Sequence, residues 1–204
     1  MVQRRHGWAV VALALVASCA SGGGGSTSGT VPPASGGSAA SDLPILPADA
    51  LPGYVVHVSD LDAATLSADA LDPASLDVVL AGAGFETGIE RRFTARWKPV
   101  TEVVARALRF ASADGASAYL AWLRTHGADV LGSQAQVSDP PSLADAIAFT
   151  HAPCTSCTKD TGQYFAAWTH GRYALTLMIG GPRAGRSTAT PLAEELDARV
   201  SAGG

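Results

Sequence analysis

A chain of 204 residues with 14 Lys and Arg against 18 Asp and Glu, a formal net charge of −4, is long enough for one domain with its own core. Its acidity excludes the ordinary nucleic-acid binder, which needs a concentrated basic surface to displace phosphate counterions. Arg outnumbers Lys twelve to two and Ala and Gly abound, the residue usage of a GC-rich genome.

The chain opens with a short positive stretch containing Arg4 and Arg5, then an apolar run from Ala9 to Ala17. That order is the pattern of a secretory signal, and the run falls well short of the roughly 20 apolar residues of a membrane-spanning helix. It ends in Val16-Ala17-Ser18-Cys19, which resembles the lipobox of bacterial lipoproteins. Small residues there suit a narrow peptidase site, and the cysteine sulfur takes the diacylglycerol. The resemblance implies that residues 1–18 are a removed signal peptide and that Cys19 becomes the lipidated first residue, facing outside the cytoplasm at the cell membrane. Two or more acyl chains hold a protein to a bilayer where one does so only marginally. Loss of Arg4 and Arg5 leaves 12 basic against 18 acidic residues, a net charge of −6. Residues 20–41 are almost entirely Gly, Ser, Ala, Thr and Pro, so 19–41 reads as a lipidated cysteine with a flexible tether, and 42–204 as a single globular domain.

Within the domain, Asp72-Pro73-Ala74-Ser75 combines a capping side chain with Pro at the first helical position. Leu76, Val79, Leu80 and Ala83 follow at helical spacing, with Gly82 or Gly84 to end the helix. From Phe85 to Trp97, Ile89, Arg91, Phe93, Ala95 and Trp97 alternate with mostly polar neighbours, a strand that Pro99 breaks. Val100–Phe110 predicts a second strand with Val104, Leu108 and Phe110 on one side. Ser112-Ala-Asp-Gly opens a helix whose inner face is Ala116, Tyr119, Leu120 and Leu123, with Gly127 as its stop. A short strand follows near Ala146–Thr150. Tyr164–Thr169 and Arg172–Ile179 then flank His170-Gly171, a two-residue hairpin turn that sets Trp168 opposite Tyr173, Ala166 opposite Leu175 and Tyr164 opposite Leu177. Thr190-Pro191 starts a last helix with Leu192, Leu196 and Val200 inward.

This order predicts an α+β fold, an antiparallel sheet of about five strands with about three helices packed on one face. Leu-Pro-Gly-Tyr at 51–54, Gly-Ala-Gly-Phe at 82–85 and the run Phe110–Leu123 are similar to actinobacterial lipoproteins and to extracellular sensor domains of Ser/Thr kinases. That resemblance implies a ligand-sensing or partner-binding module, although the widely spaced cysteines of those sensor domains are lacking here.

The chemistry-bearing residues are few. Cys154-Thr-Ser-Cys157 is expected to be a structural disulfide in an oxidising compartment; a redox dithiol and a zinc site completed by His151 and His170 are the alternatives. Ser156-x-x-Lys159 and Asp160-Thr-Gly162 match hydrolase fragments without the surrounding elements those enzymes need. No phosphate loop, nucleophile elbow or zinc-protease motif occurs, and no cofactor or metal is expected. His57 and His126 read as lone structural or surface histidines. Eight acids and no Lys or Arg lie between Asp42 and Glu86, whereas Arg91, Arg92, Arg96, Lys98, Arg106 and Arg109 cluster just after. Strand alternation puts Arg92, Arg96 and Lys98 opposite Phe93 and Trp97, a candidate site for an anionic partner such as a lipid, a wall polymer or an envelope protein. The competing reading is a stripe neutralised by its own acidic neighbours. The expectation is therefore a membrane-anchored, non-enzymatic binding or sensor-like domain; a carrier of an apolar ligand is the alternative, and a thiol redox or hydrolytic enzyme the third.

Overall fold

The computed structural model describes residues 42–68, 70, 72–131, 135–152 and 162–203. The signal, Cys19, the tether, and the Cys154 and Cys157 pair lie outside the described residues. In chain order the elements are β1 (Val55–Leu61), α1 (Ala63–Ala68), α2 (Pro73–Gly82), β2 (Phe85–Thr94), β3 (Glu102–Phe110), α3 (Ala113–Leu131), β4 (Gln136–Val137), β5 (Ile147–His151), β6 (Gln163–His170), β7 (Tyr173–Gly180) and α4 (Arg186–Gly203). All strands pair antiparallel in one seven-stranded sheet of order β1-β2-β3-β7-β6-β5-β4. Two hairpins, β2–β3 and β6–β7, thus join side by side through β3 and β7 at the centre.

Among the described residues the fold is α+β on one antiparallel sheet, with seven strands and four helices rather than about five and three. Helices also cover both faces rather than one. On one face α4 and the segment Leu43–Leu46 bury Phe93, Val103, Trp168, Leu175 and Leu177. On the other, α1, α2 and α3 bury Leu108, Phe110, Phe165 and Ala174. The reason stands in the central strands: Val103-Val104-Ala105 and Phe165-Ala166-Ala167-Trp168 are buried without interruption. Consecutive strand residues point to opposite faces, so such runs require cover on both sides.

Local chemistry explains most element ends. The Asp72 carboxylate accepts the Ser75 backbone N–H at 3.1 Å, with Pro73 in the first turn of α2. The Ser112 hydroxyl accepts the Gly115 N–H at 3.1 Å and starts α3. Gly127 does not stop that helix. It packs on the Phe149 ring, which any Cβ there would strike, so α3 runs on to Leu131. The β6–β7 turn is Gly171-Arg172, with Gly171 at φ 54°, and Trp168 faces Leu175 while Tyr164 faces Ile179. This register differs from the expected one by two residues along β7, an even shift that leaves each side chain on its expected face. The last helix starts at Arg186, before Pro191, and buries Leu192, Leu196 and Val200 as predicted.

Candidate functional site

A cavity of about 200 Å³ lies between the C-terminal half of α3 and the sheet. Val104, Thr176 and Phe165 form its floor, Tyr119 and Leu123 its helical wall, and Leu66 and Leu76 its end. Ala70, Asp72, Trp122, His126 and Val130 make a more exposed rim. Strand register brings the floor together: Arg106 pairs with Thr176, and Val104 with Met178.

The helical wall is an aromatic row. Tyr119 stacks on Trp122 at 6.3 Å between centroids and 18° between planes, and Trp122 stacks on His126 at 4.7 Å and 10°. Spacings of three and four residues place all three rings on one side of α3. Trp122 donates its indole N–H to the Ser75 hydroxyl at 3.0 Å, tying α3 to α2. The His126 Nδ1 lies 3.0 Å from the Trp122 carbonyl oxygen, which fixes the ring in the stack. Burial pushes the Tyr119 phenol up to about 12, against an opposing pull from Arg106, so the phenol stays neutral at ordinary pH.

Polar groups enter the cavity floor from the sheet. Glu90, only 8 % exposed, accepts from Arg106 at 2.7 Å and from Arg92 at 3.1 Å. Arg92 also reaches Glu102 at 2.9 Å, so a ladder of alternating charges runs across β2 and β3 beside the cavity. Low solvent access strengthens these pairs and raises the cost of removing one partner.

The structure separates the predicted basic set. Arg92 is in β2, on the face opposite Phe93, and bonded to Glu90 and Glu102. Arg96 and Lys98 lie past the strand end, in the β2–β3 connection, and Trp97 beside them is 91 % exposed rather than inward. Lys98 donates to the Pro52 carbonyl at 2.5 Å and sits 4.5 Å over the Tyr54 ring. Arg109 pairs with Glu86 at 2.8 Å, and Arg91 donates to the Leu46 carbonyl. The neutralising acids for the ladder come from the strands themselves, Glu90 and Glu102, more than from the acidic segment before them.

His126 proves to be a rim residue, and His170 is held at the end of β6 by Asp197 at 3.1 Å. Among the described residues no three His, Cys, Asp or Glu side chains group as a metal site, and no helix is long and apolar enough to cross a membrane. Sequence reasoning missed Thr176, and it took Trp122 for a packing residue and Arg106 for a member of the basic stripe. The available signal was the ring-bearing row Tyr119, Trp122, His126, which extends the apolar stripe of α3 beyond what covering a sheet requires.

No protein-family model matches the chain, and no curated protein matches it in sequence. Among solved structures, the extracellular domain of PknH from Mycobacterium tuberculosis is similar at a TM-score of 0.49 and 12% identity, over 73% of this chain and 82% of that one. None of the three comparisons assigns the chain to a family.

Proposed function

We propose that this chain is an exported, lipid-anchored protein whose folded domain binds a small, largely apolar molecule in the cavity between α3 and the sheet. The cavity carries this reading. It is a recess of about 200 Å³ behind an aromatic wall, lined mainly by apolar side chains with a few polar groups, the make-up of a small-molecule site. A dry cavity of about 150 Å³ accommodates benzene, which sets the size of occupant at one or two rings or a short branched chain. The polar atoms of the wall are engaged in structure: Asp72 caps α2 and Trp122 is bonded to Ser75. An occupant therefore meets mainly ring faces and aliphatic carbon, with the Thr176 hydroxyl and Arg106 as polar contacts on the floor.

The anchor rests on the lipobox at Val16–Cys19. Labelled fatty acid is expected to enter the full chain and to be lost in Cys19→Ala; a wild-type chain that never takes up label removes the anchor from the proposal.

The cavity is tested separately. Native mass spectrometry of the chain as isolated is expected to show a small apolar adduct, and indole, used as a probe, is expected to bind saturably in titration calorimetry. Ala70→Trp, at the half-buried rim, is expected to abolish that saturation while leaving the unfolding free energy within about 1 kcal/mol of wild type. Indole binding that is absent, or indifferent to Ala70→Trp, sinks the reading.

A further inference from the structure

We infer that the β2–β3 connection is a second membrane contact, a Trp-bearing basic tip that seats on an anionic phospholipid surface. Trp97 is 91 % exposed and Val55 beside it 60 %, both large apolar side chains left in water. Arg96, Lys98 and Pro99 flank Trp97 and are exposed. Gly53, Val55, Thr94, Ala95 and Thr101 complete this surface, and it holds no acid. A chain with 18 acids thus presents a local patch of the opposite sign.

The tip is held in place. The Tyr54 hydroxyl donates to the Val100 carbonyl at 2.7 Å, and Lys98 bridges to Pro52 at 2.5 Å while covering the Tyr54 ring. At the base, the Thr101 N–H donates to the Gly180 carbonyl at 2.8 Å and the Arg183 N–H to the Pro99 carbonyl at 3.0 Å. Trp97 is therefore presented by a braced loop, with little ordering left for a partner to impose.

An exposed indole between basic residues suits the headgroup boundary of a bilayer. The ring is amphipathic and settles at that level, and long basic side chains bury their stems while their charges meet lipid phosphate. Geometry permits the contact alongside an anchor at Cys19. Asp42, where the domain begins, lies beside Tyr173, and Tyr173 pairs with Arg109 at the far end of β3 from Glu102 and the tip. Those ends are about 23 Å apart at the rise of a strand. The chain between Cys19 and Ser41 extends to at most about 75 Å, so the anchor leaves the tip free to reach the same bilayer.

The experiment incorporates the full chain into vesicles of phosphatidylcholine, with and without an equal part of phosphatidylglycerol. The signal of Trp97 is isolated as the difference between wild type and Trp97→Phe. In phosphatidylglycerol vesicles that signal is expected to shift to the blue and to be quenched by brominated acyl chains. Arg96→Ala is expected to weaken the phosphatidylglycerol-dependent partition about fivefold, the effect of one basic residue near an anionic surface, and 0.5 M salt to weaken it further. Trp97 emission that stays water-like in both vesicles overturns the inference, as does quenching indifferent to phosphatidylglycerol and salt. Protection of Trp97 by an added envelope protein instead of lipid overturns it as well. Acylation of Cys19 is read independently by mass, so failure of the anchor and failure of the tip are told apart.

Discussion

The two faces of the sheet are built to different standards. Under α4 the interface is filled by Trp168, Leu175, Leu177 and Ile179 against Ala189, Ala193 and Leu196, where small residues bring the helix close to the strands. Under α1–α3 the same sheet carries an open space, an aromatic row and a charge ladder. Among the described residues the three buried polar side chains, Ser67, Glu90 and Thr176, all belong to this second side. A face that only had to be covered has no need of a buried carboxylate with two arginines on it, because a hydrophobic replacement of equal volume is commonly as stable or more so. The contrast separates the face that holds the fold together from the face proposed to bind.

Four substitutions sharpen or break that contrast. The largest effect is expected at Trp168, 1 % exposed and donating its indole N–H to Asp197 at 3.1 Å. Trp168→Ala should lower the unfolding free energy in urea by about 3–5 kcal/mol, with indole affinity unchanged in the folded fraction. A loss below about 1.5 kcal/mol would show the α4 face to be loosely packed after all.

Next comes Glu90→Ala, which removes the carboxylate that Arg106 and Arg92 share and leaves Arg92 with Glu102. The Arg106 and Arg92 side chains are 25% and 40% exposed, so solvent relieves part of the penalty, and about 1–3 kcal/mol is expected. Arg92→Ala, removing the more exposed partner, should cost less than about 1 kcal/mol. Equal costs for the two would mean that the ladder is a surface network with no buried centre.

Alkaline pH reads Tyr119 together with Tyr164, whose phenol burial likewise pushes up to about 12. The Tyr119 phenol titrates near 10.0 in the unfolded chain and is pushed up to about 12 in the folded one. Below pH 10 the group is neutral in both states and makes no difference. Between pH 10 and 12 the unfolded chain gives up the proton while the folded chain retains it, so stability falls with rising pH by on the order of 2–3 kcal/mol. Tyr119→Phe should make that part of the profile shallower and leave the share of Tyr164, read as urea midpoints against pH. A slope identical to wild type would mean the phenol reaches water through the cavity mouth.

Much of the fold was legible because it rests on local rules. Asp72 and Ser112 announce their helices, since a side-chain acceptor just before an apolar period satisfies the free N–H groups of the first turn. The hairpin at Gly171 declared itself by a turn residue between two apolar runs, and its register slipped because both Gly171-Arg172 and His170-Gly171 offer glycine at a central position. β1 was missed: its residues Val55–Leu61 are mostly exposed at the sheet edge, so burial imposes no alternation on them. Trp97 was placed inward because period two continued past Thr94, where the strand in fact ends.

The sequence by itself determined the α+β class and the inward residues of α2, α3 and α4. These depend on neighbours within a few positions or on short apolar periods. Only the tertiary structure decided which face each helix covers, that β7 lies between β3 and β6, and that Arg106, Thr176 and the Tyr119–His126 row meet around one cavity. Those residues are as many as 70 positions apart, from Arg106 to Thr176, and what joins them is strand pairing across the sheet, which no local pattern encodes.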